Sequence, residues 1–173
     1  MKNSANRSLL SEALLILVSL IFLAVLTQEA VAQEPPPRPV EVTVSQNLVF
    51  GAFSHGAAGG TVIISNTGSR SATGTVIPLN LGFSFNAAVF RLVANRGTLI
   101  TILNGSPATL PGSNGGSMTM TLGISNPASP FVIPANPPSF TIMNIGGTLT
   151  VGNSASNPPG NYSGTFDITF IQE

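Results

Sequence analysis

The sequence predicts an all-β fold, an antiparallel sandwich of two sheets, and three observations carry that reading. In Tyr162–Ile171 the residues Tyr162, Phe166, Ile168 and Phe170 alternate with Ser163, Thr165, Asp167 and Thr169, the period-two pattern of a strand with one dry and one wet face. From Val40 onward, short runs rich in Val, Ile, Thr and Phe are separated by Gly, Pro, Asn and Ser clusters, with no sustained helical period. Three segments open with one phrase, Gly59-Gly60-Thr-Val, Gly115-Gly116-Ser-Met and Gly146-Gly147-Thr-Leu, in which a glycine pair is expected to make a turn before alternation begins. Their spacing is too uneven for a solenoid or a propeller.

Val40–Ser45 alternates Val40, Val42 and Val44 with polar residues and reads as the first strand. Leu48–Phe53 and Thr61–Ser65 are β-branched or aromatic runs, the second entered from a glycine pair. Gly74–Pro78, Ala88–Val93 and Thr98–Leu103 follow, bounded by Gly, Asn and Pro signals. Ser117–Gly123 places Met118, Met120 and Leu122 on one face. Between Ser125 and Pro138 five prolines rule out a continuous central strand, so a long loop with one edge strand, Phe131–Ile133, is expected there. Phe140–Met143, Thr148–Gly152 and Tyr162–Ile171 complete the set. Asn104-Gly105 and Asn114-Gly115 read as hairpin turns. Val42, Val44, Val62, Ile64, Met118, Met120, Leu122, Leu149 and Val151 are the expected core, each side chain contributing about 1.5–3 kcal/mol when buried.

Residues 1–32 read as an export signal. Lys2 and Arg7 precede an apolar run, Ala13 to Leu26, which ends before a small-x-small site at Ala30-Val31-Ala32. Cleavage is expected between Ala32 and Gln33. The run is shorter than the roughly 20 residues of a membrane-spanning helix. A short proline-rich leader, Gln33–Pro39, and a single domain over residues 40–173 are expected to follow. The expected location is therefore outside the cytoplasm: periplasmic, extracellular or on the cell surface.

Only 7% of the chain is charged, against roughly 25% in an average globular protein. Beyond the signal, Arg38, Arg70, Arg91 and Arg96 balance Glu34, Glu41, Asp167 and Glu173, with no lysine. Such a surface has no basic patch for nucleic acid and no polybasic membrane signal. It favours association with protein, including copies of the same chain. The chain contains no cysteine, so it has no disulfide framework.

The polar inventory argues against catalysis and against a cofactor. His55 is the one histidine, in Ser54-His55-Gly56, and reads as a surface-turn residue because a metal site needs a cluster. Asp167 reads as a solvated strand residue that discourages edge aggregation. Paired carboxylates within roughly 5–10 Å are not expected from Glu34, Glu41, Asp167 and Glu173, three of which lie near the termini. A nucleophile elbow, a thiol and a phosphate-loop lysine are all missing from residues 33–173. Phe83 and Phe85, in Leu81-Gly-Phe-Ser-Phe-Asn86, are the candidate loop-binding pair, although phenylalanine's usual place predicts burial beneath that loop.

Leu48-Val-Phe-Gly51, Gly60-Thr-Val62, Gly68-Ser-Arg70, Ala87-Ala-Val-Phe90, Gly116-Ser-Met-Thr-Met120, Gly146–Gly152 and Gly160–Phe170, taken in order, resemble the bacterial exported family called domain of unknown function 4402. The C-terminal phrase also resembles the last strand of spore-coat-U-type and chaperone–usher pilin subunits. That likeness implies an immunoglobulin-like, pilin-like sandwich that assembles by strand donation. Gln33–Pro39 offers no free alternating segment to donate. The expectation is a structural or adhesive cell-surface subunit acting through its sheet edges, with Val40, Val42, Val44, Tyr162, Phe166, Ile168 and Phe170 lining the contact. The alternative is a self-complete module that binds a glycan or a host protein through Leu81–Asn86 and Ser125–Pro138.

Overall fold

The structure, a computed structural model, describes residues 38–173. The signal segment, its Ala32/Gln33 cleavage site and leader residues 33–37 lie outside the described residues. Among the described residues ten strands form two antiparallel sheets: β1 (Glu41–Gln46), β2 (Phe53–Ile64), β3 (Arg70–Pro78), β4 (Ala88–Val93), β5 (Leu99–Asn104), β6 (Ala108–Pro111), β7 (Ser117–Asn126), β8 (Phe131–Val132), β9 (Thr141–Val151) and β10 (Ile168–Gln172). The larger sheet runs β1-β4-β9-β2-β3, with β7 on the other side of β9 and β6 beyond it; the smaller runs β10-β5-β8.

β9 organises the larger sheet. Its first half pairs with β4, Ala88 opposite Ile145, and its second half with β2, Ile64 opposite Gly147. β7 lies along its other edge, with a register shift between Leu122 and Ser125. The glycine pair Gly146-Gly147 is therefore inside one long strand and not a turn between two, a correction to the sequence reading. Both glycines are buried, and a Cβ on Gly146 would collide with the Ile64 carbonyl oxygen. The pair permits close approach of backbones. Gly59-Gly60 likewise sits within β2, where a bulge between His55 and Gly60 places Gly59 at φ 65°. Only Gly115-Gly116 is the expected turn: it closes the β6–β7 hairpin, Pro111 opposite Ser117, with positive φ at both glycines.

Other departures have local causes. Leu48–Phe53 makes one bridge, Val49 to Asn86, and is otherwise a crossing segment before β2 starts at Phe53. Asn104-Gly105 is no hairpin: β5 and the unforeseen β6 belong to different sheets, so the chain crosses the sandwich there. His55 is not in a turn but in β2, opposite Val76. The proline-rich stretch behaves largely as expected: after Ser125 and Asn126, which end β7, it contributes the edge strand β8 against β5.

Two packed clusters fill the interior. One holds Val62, Ile64, Leu110, Met118, Met120, Leu149 and Val151, and the other Phe90, Leu92, Ile100, Ile133, Met143 and Ile145. Leu48, Leu122 and Phe166 touch both clusters and join them into one core. Val42 and Val44, assigned to the core from sequence, are 37% and 57% exposed. Every residue of β1 is exposed, because β1 is an edge strand paired with β4 alone and the cleft lies between it and the C-terminal strand. That uncovered side is where the functional site must be sought.

Candidate functional site

Between β1, at the edge of the larger sheet, and the segment Tyr162–Gln172, at the edge of the smaller, the sandwich is open. The opening is a cleft of about 1140 Å³. Val42 and Val44 stand on one wall, and Phe166, Ile168 and Phe170 on the other. Core residues Phe90, Leu110, Met118, Met120 and Leu149 reach its floor. The lining is thus the interior of a sandwich seen through a gap in its wall.

The predicted terminal strand is shorter as a ladder than its alternation suggests. β10 pairs with β5 only from Ile168 to Gln172. Upstream, Tyr162 bridges to Gly112, Ser163 N donates weakly to Pro111 O (3.4 Å) and Gly105 N donates to Asp167 O (2.9 Å). The side chains nevertheless keep their period: Tyr162, Phe166, Ile168 and Phe170 are half-buried, while Ser163, Thr165, Asp167 and Thr169 are exposed. Phe170 meets Phe90 edge to face, with ring centroids 5.8 Å apart. Tyr162 donates its hydroxyl to Pro158 O at 2.7 Å, which fixes the start of the segment against the loop before it.

One end of the cleft is laced shut. The Gln172 amide accepts from Val40 N (2.8 Å) and donates to Arg38 O (2.9 Å), so one side chain supplies the pair of hydrogen bonds that a neighbouring strand would have made. Val40, half-buried, packs there against the core. Gln46 and Tyr162 also line the cleft, and Leu79 with the exposed Leu81 and Phe83 borders its mouth.

Phe83 and Phe85 are 67% and 42% exposed, so the expected burial beneath their loop does not occur. The cause is Arg70. Its guanidinium donates to Phe50 O, Ala52 O and Leu79 O at 3.2–3.3 Å and lies 4.3 Å from the Phe85 ring centroid. The space under the loop is occupied by a cation held on carbonyl oxygens, a charge-assisted arrangement that turns the aromatic rings outward. Leu79 N donates to Ala52 O, and Val49 and Asn86 exchange backbone hydrogen bonds, so residues 80–85 form an arch pinned at both ends.

Of the residues singled out from sequence for edge contact, Val42, Val44, Tyr162, Phe166, Ile168 and Phe170 line this cleft, whereas Val40 packs against the core beside it. Arg70, Gln172 and the 2%-exposed Asn157, whose amide accepts from Gly152 N and donates to Ser117 O, were not singled out. Arg70 had a legible signal, a cation with no acidic residue near it in sequence; the two amides had none. His55 borders the cleft, with a buried Nδ1 that has no partner among the described residues. No group of three His, Asp or Glu side chains comes together among those residues, and Asp167 is exposed at the rim. The arrangement can hold an apolar or main-chain partner.

No curated protein and no solved structure matches the chain. One family model, described as Domain of unknown function (DUF4402), matches residues 40–171, a span that runs from the start of β1 into β10. The chain belongs to that family.

Proposed function

We propose that this is an exported structural or adhesive cell-surface subunit that assembles with protein partners through the cleft between β1 and the C-terminal segment. The observation that carries the reading is the cleft itself. It combines two strand edges without ladder partners and an apolar floor, the recognition chemistry of strand addition. Main-chain pairing supplies affinity there, and alternate apolar side chains set register. The near-neutral composition supports the same reading, since little charge repulsion opposes association.

The test is Val44→Asp, which puts a charge on the exposed wall while leaving the core untouched. Wild-type protein should form assemblies in gel filtration and electron microscopy, and the variant should stay monomeric with an unchanged circular dichroism spectrum. Wild-type protein that remains monomeric at high concentration would refute the proposal.

A second reading, a self-complete module that binds a glycan or host protein through its loops, is favoured by the outward-facing Phe83. Glycan arrays probed with monomer, with binding lost in Phe83→Ala and Phe85→Ala, would support it.

A further inference from the structure

The arch 80–85 borders the cleft, which Leu81, Phe83 and Ser84 help to line. The cleft is a concave apolar site and the arch a convex one. Leu79, Leu81, Phe83 and Phe85 alternate with Asn80, Gly82, Ser84 and Asn86, and Leu81 and Phe83 are 64% and 67% exposed at the cleft's mouth. Arg70 and the backbone pairs at Leu79 and Asn86 prevent the arch from folding back onto its own chain. Two large apolar side chains are thus held out in water by a pre-formed support, which lowers the ordering cost of docking them elsewhere.

We infer that the occupant of the cleft mouth is the arch of a second copy of this chain, with Leu81 and Phe83 as its anchors. This inference rests on reading the cleft as a protein contact. Because knob and hole are neighbours on each copy, a two-fold axis satisfies both at once, each arch entering the other's cleft. Such an isologous contact closes as a dimer and does not propagate. The area is adequate: Leu81, Phe83, Phe85, Val42, Val44 and Val49 together expose about 500 Å² per copy, and the exposed polar residues among them, Asn47, Asn80 and Ser84, extend the patch toward the roughly 800 Å² per partner of a stable interface. Charge does not oppose it. Arg70 is engaged with carbonyl oxygens, and among the cleft-lining residues Asp167 is the one carboxylate, so no block of like charge would meet across the axis.

The experiment uses analytical ultracentrifugation of the secreted protein, wild type beside Leu81→Ser/Phe83→Ser and Val44→Asp. Both altered sites are exposed, and circular dichroism confirms folding. A wild-type dimer, lost in both variants, is the expected result. Loss in Val44→Asp with the dimer intact in the arch variant overturns the arch as occupant while leaving the cleft reading standing. A wild-type assembly indifferent to both variants overturns both. Open filaments in place of a dimer overturn the two-fold arrangement. The cysteine-free background permits a direct check: Phe83→Cys and Val44→Cys carried on separate chains should link through a short bismaleimide only when the two proteins are mixed. Absence of the mixed product overturns the inference.

Discussion

At the scale of single residues, long polar side chains satisfy backbone groups that no strand pairs. Gln172 replaces two ladder hydrogen bonds, and Arg70 satisfies three carbonyl oxygens of the crossing segment and the arch. Hydrogen bonds from a charged donor contribute more than neutral ones, so Arg70→Ala should lower stability by about 2 kcal/mol in urea unfolding. Arg70→Lys should recover only part of that, because one compact ammonium cannot fan out to three acceptors and stack on Phe85. Full recovery by lysine would show that charge alone matters there. The first strand and the terminal alternation were legible in sequence because period two requires no knowledge of partners, but which face of Val42 and Val44 is covered was not. What Arg70 and Gln172 do was not, since each acts on backbone remote in sequence: Arg70 on residues 18–20 positions upstream, Gln172 on the opposite end of the domain.

At the scale of elements, β9 shows why a glycine pair misleads. Turn chemistry and close backbone approach both call for glycine, and a single sequence does not separate them. Gly115-Gly116 has left-handed φ in a hairpin loop, whereas Gly146-Gly147 has no left-handed φ and lies buried between β2 and β7. Substitution separates the two causes. Gly146→Ala should cost about 3 kcal/mol through overpacking against the Ile64 carbonyl. Gly123→Ala, whose nearest neighbour to a new Cβ is the Gly146 carbonyl oxygen at 3.6 Å, should be neutral or stabilising by about 0.5 kcal/mol through the unfolded chain. Thermal melts of both variants check the pair, and equal destabilisation would contradict the continuous β9 ladder. Strand existence was readable almost throughout; assignment of β6 and β5 to opposite sheets was not, because Ala108–Pro111 is too short to carry a pattern and gains its place from β7.

At the scale of the molecule, the sandwich opens at the cleft, and proteolysis should report which connections are free. Trypsin has four arginines to choose from among the described residues. Arg38 precedes Pro39 and is protected chemically. Arg70 opens β3 and is held by three carbonyls, and Arg91 lies inside β4, paired on both sides, with its guanidinium 3.7 Å from the Phe140 ring centroid. Arg96 is different: it is exposed, in the turn between β4 and β5, where the chain passes from one sheet to the other. The Arg96–Gly97 bond should therefore be cut first. The two pieces should stay together, because β9 on the second piece pairs with β2 and β4 on the first, and Phe90 packs on Phe170 across the cut. Denaturing electrophoresis should show two fragments where native gel filtration shows one species of unchanged size. If Arg70 were cleaved before Arg96, β3 would be fraying from β2 and the arch would lose its support, so the order of cleavage also tests whether the cleft mouth is pre-formed.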